Sequence, residues 1–139
     1  MVPAVMAFQL AFERRHRVIK AKVTGVLATQ HLLDLDMALI AFLAREMIVD
    51  AAALRGLYDF SEVTAVAVPQ AKVEERGSLP AIVRGHRVMV RSRTLACSLV
   101  ESFVQSQRRA RDYQLTVVDS LEEAHALLGL NVAHFEVIE

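Results

Sequence analysis

The sequence is short of the residues that build covalent or metal staples. One cysteine, Cys97, stands in a chain of 139 residues, so no internal disulfide can form and no multi-cysteine zinc site is available. Glycine and proline are scarce, at five and three, which excludes low-complexity and collagen-like chains. No stretch free of Asp, Glu, Lys and Arg exceeds the twelve residues of Met1–Phe12 and Ala124–Phe135, against about 20 needed to cross a bilayer. No basic residue precedes Arg14 and no apolar run with a cleavage site follows, so no secretory signal is expected and the expected setting is cytoplasmic. An excess of one charge is missing too. Sixteen basic residues balance sixteen acidic ones, leaving no net field to recruit nucleic acid or anionic lipid.

What is present is apolar. Hydrophobic residues make up 54% and charged ones 23%, enough to offset the ordering entropy of one folded core. Charge is unevenly spread: Arg84 to Arg111 holds seven arginines against Glu101, and Asp112 to Glu139 holds six acids and no Lys or Arg. The two stretches are expected to neutralise each other.

Phe8, Leu10 and Phe12 alternate with polar or small residues, as do Ile19, Ala21 and Val23, which predicts a β-hairpin turning at Arg14 to Arg17 without an Asn-Gly signal, after a frayed Met1 to Val5. From Thr29 to Val49 the period becomes helical, with Leu32, Leu35, Leu39, Phe42 and Leu43 on one arc. Asp36 falls inside that arc, where a carboxylate must be paired, solvated or neutral; the reading preferred is a first-turn acid complementing the helix dipole. Leu54–Phe60 reads as a buried strand and Val63–Val68 as a tight apolar crossing. Pro69 suits the first position of a short helix through Arg76, with Gly77 as its cap. His86–Arg91 alternates as a strand, and Leu95 to Arg109 is an amphipathic helix. Leu115–Val118 is a further strand, and Ser120 with Glu123 has capping-box spacing before a helix closed by Gly129. The order is β, β, α, β, α, β, α, β, α, followed by a tail from 130 to 139 too apolar to be free. Such alternation calls for a single α/β domain with a mixed, mostly parallel sheet beginning in the hairpin.

The run Leu57, Tyr58, Asp59, Phe60, Ser61, Glu62, Val63 and Thr64, set between a hairpin with a long helix and a short helix with a strand, resembles the STAS-like domains. These include the anti-sigma-factor antagonists and a small bacterial branch related to CRAL-TRIO lipid-binding domains. The resemblance spans residues 7–129. It implies helices mainly on one face of the sheet and a non-enzymatic role in binding partners or ligands. The phospho-switched antagonists carry an Asp-Ser-Ser-Gly motif at a helix start, and this sequence has Ala67, Val68, Pro69 and Gln70 there. The acceptor serine is missing, so a switch worth about −1.5 to −2 charges has no place to form. Ser61 and Thr64 are nearby hydroxyls, expected instead to satisfy local backbone groups.

Catalytic and metal constellations are not found. His16, His31, His86, His125 and His134 include no i, i+4 pair, the spacing that puts two imidazoles on one helical face. Cys97 reads as a small buried hydrophobe. Asp59 and Glu62 have no support as a proton-transfer pair. No nucleophile elbow, P-loop or dinucleotide fingerprint occurs, and no cofactor is expected. The preferred expectation is a non-catalytic protein-binding module, homodimeric, contacting a protein partner through Asp59, Ser61, Thr64, Val66, Val68, Pro69, Gln70 and Val73. The alternative is a carrier or sensor of a hydrophobic small molecule, lined by Met37, Leu39, Met47, Met89 and Phe103.

Overall fold

A computed structural model describes residues 7–48, 54–79, 81–92, 101, 103–107, 114–130 and 135–138. Among the described residues six strands form one sheet in the order β5-β4-β3-β2-β1-β6. The strands are β1 (Ala7–Glu13), β2 (Val18–Ala28), β3 (Arg55–Ala67), β4 (Arg87–Val90), β5 (Leu115–Val118) and β6 (Glu136–Ile138). Helices α1 (Thr29–Arg45), α2 (Gln70–Ser78) and α4 (Leu121–Leu128) connect them, and residues 103–107 are helical as part of α3. β2, β3, β4 and β5 run parallel, while β1 is antiparallel to both β2 and β6. The expected single α/β domain with a mixed, mostly parallel sheet is what forms. The expected frayed extension Met1–Val5, the residues 93–100 that hold Cys97 and the start of the predicted third helix, and Val49 all lie outside the described residues.

Alternation decides which face each helix covers. Ile19, Ala21 and Val23 of β2 pack with Leu35, Leu39 and Phe42 of α1, and the Phe12 and Phe42 rings meet edge to face at 5.0 Å. Met89 of β4 meets Phe103 and Val104 of α3 on that same side. Val18, Leu57, Val88 and Val90 point the other way, onto Ala124 and Leu128 of α4. The last described residues return to this domain: β6 pairs with Leu10, Ala11 and Phe12 of β1, Phe135 stacks on His125 at 6.3 Å, and the Lys20 ammonium lies 5.5 Å from the Phe135 ring centre.

The helix ends show which local signals decide. α4 begins as its capping box predicts, the Ser120 hydroxyl accepting the Glu123 N–H at 3.1 Å. It ends at Gly129, whose φ of 71° is left-handed. Arg55 donates to the Leu128 carbonyl at 3.0 Å and to the His16 carbonyl at 3.1 Å, tying this helix end to the hairpin turn. Three expectations are corrected. Pro69 is the cap residue of α2 rather than its first helical residue. Gly77 lies inside α2 without positive φ; its role is steric, because a Cβ there would come within 2.6 Å of the Ser106 Cβ and 3.0 Å of the Phe103 carbonyl oxygen on α3. The apolar stretch Val63–Val68 is no crossing, since β3 continues through Ala67.

The hairpin closes without an Asn-Gly turn because a buried carboxylate does the work. Glu13 accepts the His16 backbone N–H at 2.5 Å, and the His16 Nδ1 lies 2.8 Å from the same oxygen. Arg17 takes the left-handed φ of 54° that returns the chain to β2. Burial would raise the Glu13 pKa, but the hydrogen bonds and charge of His16 outweigh it and hold the carboxyl below its ordinary value of 4.5. The folded state therefore favours the carboxylate, a contribution complete above that ordinary value and lost as pH falls through the lower folded value. The stability gap between wild type and Glu13→Gln in urea unfolding is expected to be larger at neutral pH than near pH 3; an unchanged gap counts against this closure.

Candidate functional site

β3 is the strand that builds the site. Its register against β2 slips twice: from Lys22 to Thr24 on β2 the partner moves from Asp59 to Glu62, and from Gly25 to Val26 it moves from Val63 to Ala65. Each slip inserts one extra residue into β3, a β-bulge. The Asp59 carboxylate stabilises the first by accepting the Ser61 N–H at 3.0 Å and the Ser61 hydroxyl at 2.6 Å. Gly25, at φ 82°, supplies the backbone freedom opposite the second. Strict alternation is broken, and Tyr58, Phe60, Val63 and Val66 all line one cavity.

That cavity is about 420 Å³ and lies between the sheet and the helices on the α1 face. α1 contributes Leu32, Leu35, Asp36, Leu39 and Ile40, and α2 contributes Val73 and Arg76. Val68, Leu79, Ile82, Met89 and Phe103 complete most of the apolar wall. Cores have few voids larger than a water molecule. Water here would amount to about fourteen molecules at roughly 30 Å³ each, and each needs two to four polar partners. The wall is mostly apolar and offers few such partners, and the cavity opens to solvent beside exposed Ile40 and Leu79.

The polar groups are gathered around α2. Arg76 grips Asp36 through both guanidinium Nη atoms, joining α2 to α1. Asp36 thus takes the paired alternative: α1 starts at Thr29, so this residue is two turns into the helix and not a first-turn acid. The side chain of Gln107 donates to the Gly77 carbonyl at 2.7 Å and the Leu79 carbonyl at 3.0 Å, and accepts from Arg87 at 2.5 Å. The Ser92 hydroxyl donates to the Val63 carbonyl at 3.2 Å. Burial pushes the Tyr58 phenol above its usual value of 10.0, although Arg87 and Arg76 pull the other way. It remains a protonated donor at neutral pH.

The residues singled out from sequence divide. Val66, Val68 and Val73 line the cavity, as do Leu39, Met89 and Phe103. Met37 and Met47 stand in solvent at 65% and 83% exposure and do not line it. Ser61, Thr64, Pro69 and Gln70 are exposed, whereas Asp59 is buried at the first bulge. The Ser61 hydroxyl goes to the Asp59 carboxylate rather than to a backbone group. Sequence reasoning missed Tyr58, Phe60, Arg76 and Gln107, and Asp36 on an apolar arc was the signal that a partnered polar cluster lay here. Among the described residues no three His, Cys, Asp or Glu side chains gather as metal ligands, and no helix is long and apolar enough to cross a membrane.

The architecture is similar to that of a solved structure. That structure is the anti-sigma factor antagonist SpoIIAA in its unphosphorylated form, with a TM-score of 0.51 over 91% of this chain and 100% of that one at 13% identity. The chain folds as a STAS-like domain. No family model and no curated protein matches the sequence. In this STAS-like domain Val68 and Pro69 stand directly before α2, and Val68 is buried into the cavity wall.

The Asp36–Arg76 pair is partly buried, with side-chain exposures of 15% and 31%. Its removal is expected to cost between the exposed and buried extremes, about 1–3 kcal/mol for Asp36→Ala. A double-mutant cycle with Arg76→Met in urea unfolding is expected to return a favourable coupling; additive single effects would show the pair to be inert.

Proposed function

We propose that this chain is a non-catalytic, regulatory STAS-type binding module of the cytoplasm, which contacts a protein partner through the end of β3 and the start of α2. The observation that carries this reading is the overhang of β3. Its pairing with β4 stops at Asp59 and Val90, while its pairing with β2 runs on to Ala67. Among the described residues no strand pairs with β3 on the β4 side beyond Asp59, where the Ser92 hydroxyl meets the Val63 carbonyl, and Ser61, Thr64, Pro69 and Gln70 nearby are exposed. Open edges accept added strands or segments. With valine and proline at positions 68 and 69, the start of α2 offers no hydroxyl for a phosphate in the place where the phospho-switched antagonists carry theirs.

A second reading, a sensor of a hydrophobic small molecule, is favoured by the cavity. Val66, Val68, Val73 and Arg76 belong both to the cavity wall and to the partner-facing stretch, so an occupant would support the surface that the partner touches.

The assembly that fits is a homodimer through α1. Leu33, Met37 and Ile40 follow one another at helical spacing and are 52%, 65% and 49% exposed, an apolar stripe of the kind that interfaces cover. Light scattering after size exclusion at micromolar concentration is expected to give twice the 15.4 kDa chain mass, and Met37→Glu is expected to give the single mass; a wild-type monomer would remove the dimer.

The partner surface is tested by placing a photo-crosslinking amino acid at Thr64, Gln70 or Arg15 in source cells. Discrete adducts are expected from Thr64 and Gln70 and not from Arg15, at the far end of the sheet. Adducts absent from both overhang positions would refute this surface.

A further inference from the structure

The ligand that the cavity selects can be read from its charges. The acids and bases in the wall are already engaged by the protein: Asp36 and Arg76 hold each other, Arg91 faces Asp119 and Glu101, and Arg87 donates to Gln107. A charged head group entering here would compete with a protein group already in place and would lose its own hydration. One polar group in the wall differs. Tyr58 lines the cavity, and its hydroxyl has no hydrogen-bond partner among the described residues. Its ring is fixed against β3, because Gly56 leaves the space it occupies: a Cβ on Gly56 would meet the Tyr58 ring at 2.9 Å. From Tyr58 the wall continues along β3 through Phe60, Val63 and Val66 to Val68, apolar throughout.

We propose that the cavity binds an uncharged amphiphile, an apolar chain ending in one hydrogen-bond acceptor such as a long-chain alcohol or ester, with that end at the Tyr58 hydroxyl. The chain lies along the bulged part of β3 and beneath α2. This inference rests on the small-molecule reading of the cavity and adds to it the chemical class of the ligand and the residue that recognises its head. A volume of about 420 Å³ falls within the roughly 300–1,000 Å³ of small-molecule sites.

The test uses the full chain with the uncharged fluorescent probe N-phenyl-1-naphthylamine, and dodecan-1-ol and dodecanoate as competitors. Saturable probe binding is expected, with displacement by dodecan-1-ol and a dodecanoate affinity at least about tenfold lower. Tyr58→Phe is expected to weaken dodecan-1-ol about three- to tenfold, the worth of one hydrogen bond, and to leave the probe unchanged. Val66→Phe or Val73→Phe, whichever keeps the wild-type circular dichroism, fills the cavity and is expected to weaken both. Absence of saturable probe binding, or indifference to the filling variants, overturns the small-molecule reading itself. Probe binding that responds to the filling variants, joined to equal affinity for dodecanoate or to no effect of Tyr58→Phe, overturns the head-group assignment alone.

Discussion

Side chains on a strand alternate between faces, so an unbroken β3 would send only every second residue of Arg55–Ala67 toward α1. The two bulges change that count. After the first, the face toward α1 passes from Phe60 to Val63, and after the second to Val66. Without the slips, Val63 would turn to the opposite side and Glu62 and Thr64 would face α1 between Phe60 and Val66. The Asp59 carboxylate, closed on Ser61, therefore sits at the point on which the shape of the whole face depends, although it lies on the other side of the strand.

The same strand joins two surfaces that are separate in most sheets. Its inner side chains are cavity wall, and beyond Asp59 no described strand pairs with it on the β4 side. α2 repeats the arrangement, with Val73 and Arg76 inward and Gln70, Glu74 and Glu75 outward. Val68 and Pro69 leave the start of α2 apolar, and Val68 is buried in the cavity wall.

Much of this was legible in the residues. The hairpin, the long helix, the parallel strands and the capped last helix follow from local periodicity and caps, which act within a few residues. The continuation of β3 did not, because its bulges break the period of two on which strands are recognised, and Val63–Val68 then resembles a crossing. The cavity was half visible: Leu39, Met89 and Phe103 were found among apolar residues, but Met37 and Met47 carry the same apolarity into solvent. Hydropathy measures the side chain and not what faces it. Asp36 shows the same limit, since its partner Arg76 is forty residues away and no local rule joins them. Gly77 carries a glycine's usual cap signal, and only the approach of α3 reveals its steric use.

α2 is held unequally at its two ends. Toward the C-terminus, Arg76 is gripped by Asp36, and Gln107 holds the Gly77 and Leu79 carbonyls. At the other end Pro69 offers no side-chain cap, and the helix begins on backbone hydrogen bonds from Lys72 and Val73 to the Pro69 carbonyl. The side-chain hydrogen bonds that tie α2 to its neighbours thus gather at its end, and its start is anchored to the cavity wall by apolar burial of Val68 and Val73.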